Sequence, residues 1–403
     1  MKEYYTFIFD SFSFDPAKGS VELNYSLDDE EKFTETVILP TEGLQDIDKA
    51  TLDRALFNLH LIGGISYFKT CCPKTIKIRS GSLSKEQADF WNTVYTKGLG
   101  EFFYRNKIDF HGLINFPSTD DVSKSPAQTE KESEKILIPI GGGKDSIVTT
   151  EMLRKTGADL TLMRMGAHPL IDQVASISGL PMLTVERKLS PRLFEMNEEG
   201  ALNGHVPITG YLSFLNVLCT LLYGFDAIAI SNERSASEGN VEYLGEQINH
   251  QWSKSEEFEK MFNEYVPEAK YWSPLRSMTE LEIAEQFSKH PEYFPLFTSC
   301  NCNWRITEDR PSDKWCKKCP KCAFAFVILS AYLPNETLTE IFDGNLYENE
   351  SLIPLFKQLL GLEGFKPFEC VGTPEETKKA FDLAHERGDL DDTPVMQMYL
   401  SSQ

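Results

Sequence analysis

Basic charge is in short supply in this chain. Its 40 lysines and arginines stand against 61 acidic residues, leaving a net charge of −21. A surface of that sign repels a phosphate backbone, which argues against a nucleic-acid partner. Long apolar runs are missing too. No stretch of uncharged apolar residues reaches the roughly 18 that a membrane-spanning helix needs. The richest run, from Tyr211 to Ile230, is interrupted by Asn216, Gly224 and Asp226, and reads as a buried helix followed by a strand. The opening MKEYYTFIFDSF alternates where a secretory leader would run apolar. Cytoplasm and no membrane contact are the expectations. What remains is ordinary for a globular protein, with 41% hydrophobic and 25% charged residues. At 403 residues the chain is long for one core and suggests two or three packed modules.

The first residues alternate with period two through Tyr5, Phe7 and Phe9, then Val21, Leu23 and Tyr25, then Thr36–Leu39. Turns rich in Asp, Pro and Gly separate these runs, so an antiparallel meander is expected. A helix near Leu52–Leu61, a strand at Thr75–Ile78 and a helix near Lys85–Phe103 complete an N-terminal α+β module, residues 1–116. Residues 117–134, containing STDDVSKSPAQTEKESE, hold almost nothing apolar and read as a linker. From residue 135 the rhythm becomes strand, glycine loop, helix, strand. ILIPI, ADLTLMRMG, PMLTVER and FDAIAIS alternate with helices at 146–155, 169–178 and 208–223. Such alternation implies a doubly wound parallel sheet with helices on both faces, residues 135–298. A region at 299–403 follows, in which the cysteines gather.

Ligands of a doubly wound sheet bind beyond the carboxyl ends of its strands. Gly141, Gly142, Gly143, Lys144, Asp145 and Ser146 occupy that position. Glycines let successive backbone N–H groups turn around an anion, and the following helix adds its positive dipole end. The Walker spacing is absent, and the GxGxxG fingerprint would need glycine where Ser146 stands. The pattern resembles the SGGxDS pyrophosphate loop of ATP pyrophosphatases, with Gly141 in the place of the usual serine. That resemblance implies a fold of the adenine-nucleotide alpha-hydrolase type, with ATP split between its α and β phosphates. Ser231, Asn232, Glu233 and Arg234 crowd just past the fourth strand, as an active-site rim would. Arg234 is suited to hold a phosphate or carboxylate through two parallel hydrogen bonds. The loop residues, with Ser231, Asn232 and Arg234, are candidate nucleotide contacts.

Nine cysteines are present, five of them between Cys300 and Cys322. The spacing Cys316-x2-Cys319-x2-Cys322, with Cys300 or Cys302 upstream, suits a tetrahedral metal with four thiolates. Structural zinc on Cys300, Cys316, Cys319 and Cys322 is the expected occupant, an iron–sulfur cluster the rival. The paired Cys71 and Cys72 read as core.

Taken in order, IPIGGGKDS, NGHVP, YGFDAIAISNERSAS, NHQWSKS, WCKKCPKCAF and KPFECVGT resemble the ATP-dependent UDP-N-acetylmuramoyl-L-alanyl-L-glutamate epimerases. LHLIGGISYFK and KGLGEFFYRN near the N-terminus extend the likeness over nearly the whole chain. The resemblance implies an isomerase of peptidoglycan-precursor synthesis, and so of cell-wall biogenesis, cell shape and division. It would take a UDP-linked muramoyl dipeptide as its small-molecule substrate and invert the terminal L-glutamate to D-glutamate. The reaction would consume ATP with Mg2+ and release AMP and pyrophosphate. Cys370 is the favoured acid/base, because a thiolate can take a proton from a carbon acid reversibly if nearby charge lowers its pKa. Asp145 and Glu233 stand in reserve. Asn249, His250, Lys254 and Arg276 are candidate substrate contacts, and the N-terminal module is suited to the uridine end. A 7-cyano-7-deazaguanine synthase also pairs such a loop with zinc cysteines, but needs neither the N-terminal module nor the segment around Cys370. A tRNA-modifying adenylase is disfavoured by charge. An ATP-sensing zinc protein is the non-enzyme alternative.

Overall fold

The computed structural model describes residues 2–119, 134–304 and 314–403. Residues 120–133 of the expected linker lie outside the described residues.

Strands β1 (Thr6–Asp15), β2 (Ser20–Leu27) and β3 (Glu31–Ile38) form the expected antiparallel meander. Along β2 the apolar Val21, Leu23 and Tyr25 are buried and Glu22 is exposed, which fixes the register by hydrophobicity. Helix α1 (Lys49–Gly63) starts at Asp48, whose carboxylate accepts the N–H of Thr51. Strand β4 (Thr75–Ile78) pairs parallel with β1. The helix expected over 85–103 is broken into α2 (Lys85–Gly98) and α3 (Gly100–Asn106) at Leu99. Glycines flank the break, and a Cβ at Gly98 would lie 2.8 Å from Pro207. The bend therefore accommodates the chain that crosses there.

The second half follows the expected alternation. Its elements are β5 (Lys135–Pro139), α4 (Lys144–Arg154), β6 (Asp159–Met165), α5 (Pro169–Ser178), β7 (Met182–Lys188), α6 (Ile208–Tyr223) and β8 (Ala227–Ala229). A small ribbon, β9 (Val241–Tyr243) with β10 (Glu246–Ile248), precedes the last strand, β11 (Lys270–Trp272). Helices α7 (Glu280–Phe287), α8 (Pro320–Ser330) and α9 (Pro374–Arg387) belong to the C-terminal third.

The expected parallel sheet is one part of a larger mixed one. Nine strands run in the order β11-β8-β5-β6-β7-β3-β2-β1-β4. Strands β11 to β7 are parallel, and β7 pairs antiparallel with β3, so the meander continues the same sheet. Beneath that seam Glu35 is fully buried. It takes both Arg187 nitrogens at 2.9 Å, with Tyr211 at 2.8 Å and Tyr67 at 3.1 Å. The parallel sheet expected over 135–298 does not stand alone, because β3 pairs with β7 and this buried network bonds the two.

Chain order reverses at β5, with β6 and β7 on one side and β8 and β11 on the other. Such a switch point opens a crevice at the carboxyl end of the strand. Ile136, Leu137 and Ile138 are all buried, Leu137 in one core and its two neighbours in the other, as a strand covered on both faces requires. On one face α1 lies on α6. On the other, α7 packs against α4 and α8, and α9 against α8. Among the described residues, no helix is long and apolar enough to cross a membrane.

Candidate active site

At the switch point the chain leaves β5 through Gly141–Gly143 and enters α4. Gly142 has φ +77°, a left-handed conformation that favours glycine. Gly143 precedes the helix in extended conformation, and no side chain caps the first turn. The uncapped N–H groups and the helix dipole are features that suit an anion. Thr298 from the C-terminal third donates its N–H to the Gly142 carbonyl at 3.1 Å, and a Cβ at Gly143 would lie 3.1 Å from Ser299 Oγ. A Cβ at Gly141 would enter open space. Ser146 Oγ bonds back to the Gly143 carbonyl at 3.0 Å.

Lys144 does not project freely from the loop. It is buried, with Nζ on the carboxylates of Asp145 and Glu280. Burial opposes its charge, but the two carboxylates raise its pKa. Burial pushes Glu280 up to about 7 despite Lys144, with Asp145 and Glu233 adding repulsion. Glu280 opens α7, its N–H is capped by Glu376 of α9, and its Oε1 has no partner. It was not among the residues singled out in the sequence.

Past β8, Asn232 exchanges two hydrogen bonds with Ser273, its N–H donating at 3.0 Å and its carbonyl accepting at 2.7 Å. Glu233 is buried and Arg234 exposed, so the two adjacent side chains part company. Arg276 donates to the carbonyls of Glu233 at 3.1 Å and Lys254 at 2.9 Å, and to the Glu259 carboxylate at 2.6 Å. Its fork ties together the two loops that carry Glu233 and Lys254. Asn249 bonds the Ala236 carbonyl at 2.9 Å and accepts from the N–H of Gln251 at 2.7 Å, which shapes its own turn. Ser231 Oγ, Ser235 Oγ and both amide atoms of Gln251 are buried without partners. Orphaned polar atoms gathered on one rim are what a ligand of several polar groups would satisfy.

The structure brings Cys370, His250 and Lys254 together. Lys254 Nζ stands 3.5 Å from Cys370 Sγ, and the His250 imidazole lies near enough to act on the same thiol. Burial pushes the thiol up, but Lys254, the His250 bond and Lys321 outweigh it and bring Cys370 to about 6. Burial lowers His250, whereas its bonds to Cys370 and Glu101 raise it to about 9. Asn240, on the loop after Glu233, accepts the His250 N–H at 2.8 Å and donates to the Pro367 carbonyl at 2.7 Å. One amide thus ties the His250 backbone to the cysteine segment. Lys254 also lies within electrostatic reach of Asp145 and Glu233, which links the thiol to the glycine loop. Lys366 Nζ is buried without a partner, and Asn301 holds the Glu369 carboxylate.

Cys300, Cys316, Cys319 and Cys322 converge with their sulfurs within 4.8 Å of one another. Cys316 and Cys322 are 3.8 Å apart, Cys319 and Cys322 3.5 Å. A tetrahedral ion with bonds of about 2.3 Å needs sulfurs about 3.8 Å apart. Backbone N–H groups of Cys316 and Cys319 bond the sulfurs of Cys300 and Cys316, each at 3.4 Å, as ligating thiolates accept them. The donor set fits a metal, with Cys300 in the fourth position and Cys302 outside the four.

Comparison with known proteins bears on both halves of the site. The family model described as the MurL N-terminal domain matches residues 1–273, and that of the MurL C-terminal domain residues 296–403. The chain belongs to the MurL family. A UDP-N-acetyl-alpha-D-muramoyl-L-alanyl-L-glutamate epimerase of Xanthomonas oryzae pv. oryzae is 40% identical, over 98% of this chain and 89% of that protein. One of Salinispora tropica is 38% identical over 98% and 88%. A 7-cyano-7-deazaguanine synthase of Sulfolobus acidocaldarius is similar over only 57% of this chain and 56% of its own length, at 25% identity.

In this MurL chain the site straddles both matched regions: His250 and Lys254 lie in the first, Cys370 and the metal cysteines in the second. Sequence reasoning missed Asn240, Glu280 and Glu101. Asn240 and Glu101 fall beside or within segments already noticed for their likeness. A buried polar residue in such a segment was the available signal.

Proposed function

We propose that the chain inverts the α-carbon of the terminal glutamate in a UDP-linked muramoyl dipeptide, from L to D, in peptidoglycan-precursor synthesis. ATP activates the α-carboxylate as the acyl-adenylate with release of pyrophosphate. Water finally releases AMP. The observations that carry the reading are an uncapped glycine-loop helix terminus and a half-buried thiol with a lysine at 3.5 Å and an imidazole nearby. The sheet is read as the adenine-nucleotide alpha-hydrolase type on the strength of the switch-point loop.

Coupling to ATP has a physical reason. Removing the α-proton beside a free carboxylate sets two negative charges together, a repulsion of roughly 4 kcal/mol at 4 Å and an effective dielectric of 20. Esterifying the carboxylate with AMP removes that charge and acidifies the α-carbon. The Cys370 thiolate takes the proton, and a proton returns on the opposite face. Two groups on opposite faces of one carbon stand roughly 6–7 Å apart, twice the near-attack distance of about 3–3.5 Å. Lys254, at 3.5 Å from the thiol, is therefore its ion partner and not the second donor. Glu233 and Asp145 remain the candidates for that role. The Gly141–Ser146 loop, with Ser231, Asn232 and Arg234, would bind the nucleotide, and Mg2+ would supply phosphate neutralisation. His250, Lys254 and Arg276 border the substrate, and zinc on the four cysteines is structural.

Incubation with the L,L-dipeptide precursor and Mg-ATP is expected to yield AMP, pyrophosphate and D-glutamate on hydrolysis. The Cys370→Ala protein is expected to bind ATP and lose epimerisation by at least about a hundredfold, the lower range for a proton-transfer group. Full activity of that variant would remove Cys370 from the chemistry, and AMP formation with a deazaguanine carboxylate instead would overturn the substrate.

A further inference from the structure

Two motifs remain unused by the reaction as described: KGLGEFFYRN and NGHVP. The fold brings one polar residue from each, Glu101 on α3 and His205 before α6, against His250. All three are largely shielded from water.

We propose that Glu101, His250 and Cys370 form one proton relay, in which Glu101 is a positioning residue that fixes the His250 ring so that its other nitrogen serves the thiol. The inference rests on the assignment of Cys370 as the proton-transfer group.

Geometry carries it. His250 Nδ1 contacts Glu101 Oε2, and His250 acts on the Cys370 thiol from beside Lys254, whose Nζ is 3.5 Å from Sγ. An ionised carboxylate only accepts, so Nδ1 must carry the hydrogen and the remaining ring nitrogen is left to exchange a proton with sulfur. A reactive group, a base and an orienting carboxylate in line is the arrangement that activates nucleophiles generally. The carboxylate is itself held: Arg105 Nε reaches Glu101 Oε1 at 2.5 Å, and the Arg105 guanidinium lies 4.9 Å over the ring of Phe368. Tyr104 packs on Phe368 at 5.3 Å. Helix α3 is thereby seated on the segment that bears Cys370. His205 closes the other side, its Nδ1 3.5 Å from Glu101 and its ring 4.5 Å from that of His250.

Charges on every side agree with this. Cys370 faces Lys254, Lys321, Lys366, His250 and Glu369, while Glu101 faces Arg105, His205 and His250. Burial, with repulsion from His250, pushes His205 down to about 3, so it stays neutral while His250 carries the charge. Glu101, His205 and His250 could also hold a metal ion. A metal on Nδ1 would displace the hydrogen that Glu101 accepts, so the two arrangements exclude each other.

The test reads the thiolate directly, from ultraviolet absorbance against pH in the full-length, metal-loaded protein, with the Cys370→Ala protein subtracted. The wild-type midpoint is expected near the value of about 6. In Glu101→Gln it should rise by about one to two units, the usual effect of losing a nearby charge that supports an ion pair. The acid limb of solvent-deuterium exchange into glutamate should move with it. In His250→Gln, a second variant should Glu101→Gln fail to fold, the midpoint should climb toward the ordinary thiol value of about 8.5. An unmoved midpoint in a folded variant overturns the relay. So does a second bound metal ion per chain that disappears in His205→Ala. A shifted midpoint combined with full epimerisation by Cys370→Ala would leave the three groups linked and sink the assignment of the thiol to proton transfer instead.

Discussion

Gly141 and Gly142 are neighbours of the same type with different reasons to be glycine. Gly142 holds φ +77°, where any side chain is strained by roughly 1–2 kcal/mol, while a Cβ on Gly141 meets nothing within 4 Å. Gly142→Ala is therefore expected to weaken ATP binding several-fold or more by calorimetry. Gly141→Ser should bind at least as tightly, since a hydroxyl beside the loop adds a donor for phosphate. Equal losses in both would show that the loop does not wrap the nucleotide. The loop was legible because its glycines, helix start and strand are contiguous. The surroundings of the thiol were not, since Glu101, His205, His250 and Cys370 share no local spacing and meet only through the tertiary fold. The exposure of Arg234, which feels Glu282, was not legible either, since nothing in the sequence marks which way its side chain turns.

Among the elements, α8 depends on the four cysteines for its beginning. Cys319 occupies the cap position, no side chain caps the first turn, and Cys322 to Ser330 are all buried. A metal on the thiolates would anchor that turn and hold Lys321, one of the cations acting on Cys370. Chelation, or Cys319→Ser, is expected to release one zinc per chain and lower the thermal midpoint by several degrees or more, consistent with the roughly 10–16 kcal/mol typical of such sites. Loss of metal without change in the midpoint would make the cluster dispensable to the fold. Periodicity located the strands up to β8 and five helical stretches between residues 49 and 223 to within a few residues, but it placed none of the helices after Tyr223. It overlooked the break between α2 and α3, because glycine at 98 and 100 weakens a helix only slightly on paper, whereas Pro207 packed against Gly98 decides the bend.

For the molecule as a whole, the seam between β3 and β7 determines whether there is one sheet or two. Arg187 is sandwiched there, bonded to Glu35 and lying 3.6 Å from the centre of the Tyr211 ring. Removing one partner of a buried pair leaves an uncompensated charge, so Arg187→Met is expected to destabilise by about 3–5 kcal/mol in urea unfolding. Replacing both, as Glu35→Leu with Arg187→Met, should recover much of that. A single variant as stable as the double would refute the pairing as the seam's fastening. Nothing in the alternating pattern of either strand announced this join, since both read as ordinary half-buried edges.

The order in which the parts are made has a consequence of its own. Glu101 and His250 leave the ribosome well before Cys370, and the amide of Asn240 has no cysteine segment to clasp until then. A nascent chain can complete its glycine loop early, yet its thiol meets a waiting imidazole only after the much later segment has been threaded into place. On the proposed role of Cys370, copies that stop short of it are expected to be silent at the glutamate carbon, a defect that is complete and never partial.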